Sequence, residues 1–287
     1  LDGDAENRGS VPLADENVER LEEYMRAFNQ PVSTVDLKQG TYANTGFTQW
    51  GASGLAVAWA EENTRDSIFK AFKRKETFAT TGTRLAVRFF AGYDLSSIDL
   101  NSDSLVSEAY AKGVTMGADL LHDGTKIPEF IVWAQKDKNG APLQRVQIVK
   151  GWIDSNSGRP EEKVYDVACS DGNEVDPVSN RCPDNGARVN ISDCSITDNV
   201  GSSELKTLWK DPEFSPNDKS FYYVRVLENP TCRWSTWDAI NRGFEPREDL
   251  HETIQERAWS SPIWYIPEQT DVDVIPLGGT IQMRNID

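Results

Sequence analysis

Trp50–Phe90, WGASGLAVAWAEENTRDSIFKAFKRKETFATTGTRLAVRFF, decides how the rest of the chain is read. Gly51-Ala52-Ser53-Gly54 is a flexible approach of small residues. Leu55 to Trp59 is an apolar run long enough for one buried extended segment. Asn63 or Thr64 can cap a helix, because its side-chain oxygen accepts from a free backbone N–H one turn later. Glu61, Glu62 and Asp66 crowd that end, where negative charge suits the helix dipole. Ile68, Phe69 and Phe72 make an apolar stripe at helical spacing, and Lys70, Lys73, Arg74 and Lys75 follow toward the C-terminus. Thr77 to Gly82 breaks the helix. Leu85, Val87 and Phe89 then alternate with Ala86, Arg88 and Phe90, as in a strand. The expected order is extended segment, capped helix, Thr/Gly turn, strand.

Upstream, residues 1–16 are polar and acidic and read as loop. Val18, Leu21, Met25 and Phe28 fall at helical spacing and predict a short amphipathic helix over Asn17–Phe28, stopped by Gln30-Pro31. Residues 32–50 read as loop. Downstream, Ala109–Val114 precedes a turn-rich passage, Met116–Leu120. Pro128–Gln135, Leu143–Trp152, Val164–Ala168 and Phe221–Leu227 read as strands between turns, of which Asn139-Gly140 is the strongest signal. Ser235–Asn241 is expected as a helical turn. Trp259–Tyr265 is expected as an edge strand, because Pro262 removes a donor. The tail from residue 267 could add one more strand through Val272–Ile275. The pattern is an antiparallel meander, sheet or sandwich.

The chain has 287 residues and a net charge of −16. That balance disfavours nucleic acid and anionic membrane surfaces, both of which require clustered Lys and Arg. No run approaches the roughly 18 apolar residues of a membrane span. Cys169, Cys182, Cys194 and Cys232 form no CxxC and have no histidine at zinc spacing. Three of them lie in a polar insertion, residues 169–203, with too little apolar surface to fold by burial. Two disulfides and an oxidising compartment, periplasmic or secreted, are therefore expected. Three pairings are possible. The favoured one joins Cys169 to Cys182, closing a short loop, and Cys194 to Cys232, tying the insertion to the Phe221–Leu227 region.

SGLAVAWAEENTRDSIFKAFKRKETFATTGTRLAVRFFAGYD (Ser53–Asp94) resembles the signature block of a bacterial family known as domain of unknown function 3604. LQRVQIVKGW (Leu143–Trp152), KVYDVA (Lys163–Ala168), FYYVRVLENPTCRWSTWDA (Phe221–Ala239) and ERAWSSPIWY (Glu256–Tyr265) follow in the family's order. The family is in turn similar to the polymerase-and-histidinol-phosphatase (PHP) class of metal-dependent phosphoesterases. The resemblance implies an α+β chain. Residues 1–95 would be the C-terminal part of an α/β barrel, and residues 96–287 an antiparallel β-sandwich-like domain. It also implies a divalent metal in the complete protein, on His-x-His and Asp-x-His motifs upstream of this block. His122 and His251 sit in no such motif. The chain is therefore expected to be the C-terminal half of an exported hydrolase, inactive alone and without a metal of its own. The Ile68/Phe69/Phe72 face would be covered by the missing N-terminal half or by a partner chain. The alternative expectation is a non-catalytic, disulfide-stabilised β-sandwich that binds a ligand or partner.

Site candidates are few. Glu61 and Glu62 could act as paired carboxylates or support a reaction centre, although helix-end electrostatics is the simpler account. Thr81 and Arg84, in Thr80–Arg84, could cradle an anion, although a turn with Gly82 at positive φ explains the same residues. Asp171-Gly172-Asn173 and Asp184-Asn185-Gly186 faintly resemble calcium-loop fragments but lack the regular spacing, so ordinary turns are expected. Trp234, Trp237, Trp259, Trp264 and Tyr265 could line a sugar or ligand groove, or fill a sandwich core.

Overall fold

The structure, a computed structural model, describes residues 12–14, 23, 26–27, 34–44 and 54–268. A hairpin comes first, β1 (Thr34–Leu37) against β2 (Gly40–Ala43). β3 (Leu55–Ala58), helix α1 (Arg65–Lys73), β4 (Thr77–Thr80) and β5 (Ala86–Gly92) make up the signature block. Helix α2 (Leu105–Lys112), β6 (Gly113–Thr115), β7 (Asp119–Leu121), β8 (Glu129–Gln135), β9 (Leu143–Ile153) and β10 (Pro160–Cys169) follow. The insertion holds the small pair β11 (Val189–Asn190) and β12 (Ser195–Ile196). β13 (Glu204–Lys210), β14 (Ser220–Glu228), β15 (Thr231–Cys232), helix α3 (Trp234–Asn241), β16 (Thr253–Ile254), β17 (Arg257–Ser260) and β18 (Ile263–Ile266) complete the order.

Two sheets carry the fold. The large one runs β10-β9-β14-β17-β4-β3, with β18 also beside β14 and β7 beside β18. The small one runs β13-β8-β5-β6. Strand alternation turns Val146, Ile148, Tyr222, Val224 and Val226 inward from the large sheet, against Val87, Phe89, Phe130 and Val132 from the small one. Phe130 meets Tyr222 with ring centroids 4.5 Å apart. Near the end of this core lies a buried ion pair, Lys150 Nζ to Asp211 at 2.6 Å, where the Tyr222 hydroxyl also donates to Asp211. The outer face of the small sheet is closed by α2, with Leu105 and Ala109 packing near Phe90 and Ile131. The other face of the large sheet carries Gln147, Gly151, Phe221, Tyr223, Arg225, Trp259 and Trp264 by the same alternation.

Both disulfides follow the favoured pairing, Cys169–Cys182 and Cys194–Cys232, each with Cα atoms 5.6 Å apart. Such pairing suits an extracellular or periplasmic protein. Among the described residues no helix is long and apolar enough to cross a membrane.

Several expectations change. The described residues contain no closed barrel, and the barrel remnant expected over residues 1–95 takes another form. β3, β4 and β5 pair antiparallel with their neighbours, β4 with β17 and β5 with β8, so both sheets cross the boundary expected at residue 95. Thr77–Thr80, expected as part of a turn, is β4. The helix ends earlier, at Lys73, and Lys75, at φ +58°, turns the chain so that Thr77–Thr80 is free to pair. Residues 34–43, expected as loop, form a hairpin. Helix α2 has no counterpart in the expectations. Trp259–Tyr265 is two strands, both with neighbours on each side; Pro262 sits in the joint between them, where no ladder bond is needed, and its carbonyl accepts from Gly117 N at 3.0 Å. Of the helix expected over Asn17–Phe28, only Glu23, Arg26 and Ala27 are described, and they are helical. The strand expected at Val272–Ile275 lies outside the described residues.

Candidate functional site

The signature block builds a pocket of about 660 Å³ where the edges of the two sheets meet. Trp59 follows β3, Arg74 and Glu76 join α1 to β4, Arg88 lies on β5, and Tyr110 projects from α2. Glu76 is the hub. It is 2% exposed, and such burial of a charge requires partners. Arg74 approaches it at 3.3 Å, Arg88 Nη1 at 3.5 Å and Thr115 Oγ1 at 3.3 Å, and the Tyr110 hydroxyl donates to it. Arg88 Nη1 also donates to the Tyr110 hydroxyl at 2.8 Å. Its guanidinium lies 3.5 Å from the Trp59 ring centroid, a cation–π stack, while Trp59 Nε1 is held by Val87 O at 2.9 Å. Burial, and then the bond to Glu76, push the Tyr110 hydroxyl above its ordinary pKa. The phenol therefore stays protonated and donates.

Glu61 joins this pocket. Its carboxylate pairs with Arg74 at 2.9 Å and accepts from Ser67 Oγ at 2.9 Å, and it lines the cavity. Hydrogen bonds from the backbone and from Ser67 hold its pKa below the ordinary value. Thr64, one of the two proposed caps, accepts from Ser67 N at 3.3 Å. Glu62 is not brought in: it is exposed, and its N–H donates to Ser67 Oγ at 3.1 Å. Thr81 lies elsewhere, bonded to Glu256 and accepting from Arg257 N at 2.9 Å, so it joins β4 to β17. Arg84 is exposed, and its N–H donates to Asp137 at 2.7 Å. In the same turn Thr80 Oγ1 takes the Gly82 N–H at 3.2 Å. The expected anion cradle at Thr80–Arg84 is thus already using its donors, one of them on a carboxylate. Gly82, at φ +136°, serves the turn.

The chain belongs to the DUF3604 family. The family's model, described as a protein of unknown function, matches residues 15–267. No curated protein and no solved structure matches. In this DUF3604 chain the pocket hub, Glu76, was missed by sequence reasoning, since a single acid between helix and strand looks like a solvated turn. Arg88 was read only as the outward residue of an alternating strand.

The remaining candidates scatter. Tyr265 is buried and its hydroxyl donates to Pro216 O at 2.9 Å, whereas Trp264, its neighbour on β18, faces outward beside Phe221 at 5.1 Å. Trp259 is on the outer face of β17, and Trp234 and Trp237 ride on α3. The five aromatics therefore line no common groove. His122 Nδ1 pairs with the Tyr265 hydroxyl at 3.0 Å, and His251 is exposed. Asp184 accepts from Gly186 N at 2.9 Å, as turn residues do, whereas Asp171 accepts from Gly201 N at 2.8 Å and ties two separate segments of the chain. Among the described residues no three His, Cys, Asp or Glu side chains converge to hold a metal. The resemblance assigns the divalent ion to motifs upstream of the signature block, not to these donors.

Proposed function

We propose that this chain is the β-sandwich part of an exported hydrolase of phosphoesters, and that it offers Arg74 and Arg88 to the phosphoryl group of the substrate. The observation that carries this reading is the convergence of two guanidiniums on one open pocket, beside an aromatic wall of Trp59 and Tyr110. The planar fork of arginine suits phosphoryl oxygens. Arg74 is held by the exposed carboxylate of Glu61, a partner that an incoming anion can displace. Glu76 keeps both guanidiniums aimed. The phosphoester class comes from the similarity to PHP enzymes, whose metal would be held by residues other than these. Phe69 and Phe72, 61% and 53% exposed on the helix that ends at this pocket, suit a face packed against the metal-binding portion.

The test uses the complete natural gene product with an aryl phosphodiester and, as control, an uncharged aryl acetate. Arg88→Ala and Arg74→Ala are each expected to lower kcat/KM for the phosphodiester by about tenfold to a hundredfold, the scale of one charge-assisted hydrogen bond. Unchanged phosphodiester turnover in both variants, or equal losses on the acetate, refutes the reading.

A second reading, the non-catalytic binding module, rests on a different observation. Trp152, Phe221 and Trp264 flank a hollow of about 520 Å³ on the large sheet, with Glu161, Glu162 and Lys219 at its rim. An apolar floor with a polar rim suits a carbohydrate.

A further inference from the structure

The outer face of the large sheet holds a second group of arginines that the signature-block pocket does not use. Arg145, Arg181 and Arg225 line a hollow of about 420 Å³ together with Gln147, Asp166 and Cys182. The register brings Asp166, Gln147 and Arg225 side by side across β10, β9 and β14. Asp166 is 4% exposed and is the one carboxylate lining the hollow. It accepts from Gln147 Nε2 at 2.6 Å, Cys182 N at 2.7 Å and Arg181 Nη1 at 3.4 Å, and Arg145 Nε stands 3.8 Å away. Gln147 in turn accepts from Arg225 Nε at 2.6 Å. The Cys169–Cys182 disulfide fixes Arg181 and Cys182 against β10.

Three guanidiniums meet one carboxylate here, in a chain that carries 46 acidic residues and a net charge of −16. Arg145 Nε is buried with no hydrogen-bond partner. Among the described residues the terminal nitrogens of Arg225 also make no hydrogen bond. Like charges held together at this cost, with donors left open, are the arrangement that binds an anion. Burial lowers the Arg145 pKa, and Arg181, Arg225 and Arg257 lower it further against the opposing pull of Asp166. Arg257 therefore adds to the same field from β17.

We infer that this hollow binds a tetrahedral oxyanion of the phosphate or sulfate class, held by Arg145, Arg181 and Arg225 and aligned by Gln147 and Asp166. Asp166 anchors the arginines from below, so the anion meets their outer edges.

The test is calorimetric titration of the purified chain with inorganic phosphate, sulfate and acetate at low ionic strength. Phosphate or sulfate is expected to bind, more weakly as salt rises. Arg181→Ala and Arg225→Gln are each expected to weaken binding by about tenfold or more, while Lys126→Ala, an exposed cation that lines neither pocket, leaves it unchanged. Arg181 has a half-exposed side chain, so its truncation spares the core, and urea midpoints of both variants verify folding. A selenate soak of a crystal is expected to place an anomalous peak among the three guanidiniums. No binding by phosphate or sulfate at millimolar concentration, binding indifferent to Arg181→Ala and Arg225→Gln, binding of acetate alone, or the lack of any peak among the three guanidiniums overturns the assignment.

Discussion

Replacing Glu228 by glutamine puts a number on one unusual group in the sandwich. Glu228 ends β14 with 0% exposure, and neither carboxylate oxygen has a hydrogen-bond partner. The Thr83 hydroxyl approaches without closing a bond. Gly140 lies so close that a Cβ there would sit 3.1 Å from Oε1. Burial, with Glu256 and Asp137 nearby, raises the carboxyl from an ordinary 4.5 to about 7. A raised acid favours the proton-bound folded state, so folding incurs no penalty from Glu228 below the unfolded pKa. The penalty grows as pH climbs through the window and is complete above the folded pKa. The gap from 4.5 to about 7, at about 1.4 kcal/mol per pKa unit, amounts to about 3 kcal/mol. Urea unfolding of the wild type and Glu228→Gln, at intervals between about pH 4.5 and 8, isolates this group because all others titrate in both proteins. The wild type is expected to lose about 3 kcal/mol relative to the variant over that range. A difference that stays flat with pH refutes the buried, proton-bound carboxyl.

Other consequences follow from the same packing. Asp211→Ala strands the Lys150 ammonium in the core and is expected to cost about 3–5 kcal/mol in urea unfolding, whereas Lys150→Met with Asp211→Leu recovers most of it. Replacing Cys194 and Cys232 by serine opens a loop with a sequence separation of 38 and is expected to cost about 4 kcal/mol by the chain-entropy relation. The same change at Cys169 and Cys182, separated by 13, is expected to cost about 3 kcal/mol. Phe69→Ser with Phe72→Ser is expected to change the stability of the isolated chain by no more than about 0.5 kcal/mol, since both rings are exposed; a large loss in urea unfolding would show that the face is already packed.

Legibility in the sequence tracked how local the deciding interactions were. The strand at Phe221–Leu227 is a run of aromatic and branched aliphatic residues around Arg225, and the cap at Thr64 is chosen by contacts within one turn, so both could be read. The insertion had too little apolar surface to fold without its cysteines, which made the disulfides readable. The partners of β4 could not be read. Thr80 pairs with Ala258 from the far end of the chain, and no local pattern says that Thr77–Thr80 has a strand waiting on each side. Pro262 misled for the same reason: locally it denies a ladder bond, but the sheet placed it in a joint. The candidate site followed the same rule. Glu61 was found through its helix-end position, while Glu76 gains its meaning only when Arg74, Arg88 and Tyr110 arrive from three elements.

The two arginine clusters differ in a way that bears on what each can hold. In the signature-block pocket Arg74 and Arg88 face Glu61 and Glu76, so positive and negative charge balance before any ligand enters. A ligand there has to displace Glu61 from Arg74, which favours transient occupation by a substrate over tight retention. On the outer sheet face three guanidiniums surround a single buried carboxylate, Asp166, which pairs with Arg145 and Arg181, so positive charge stays in excess before an anion enters. Binding there relieves repulsion already built into the fold, and its strength should fall steeply with salt because the hollow is open to solvent. The first arrangement suits turnover and the second suits a resident ion or a docked anionic group. If both were saturated by the same inorganic phosphate with equal affinity, the charge balance would not be what sets them apart.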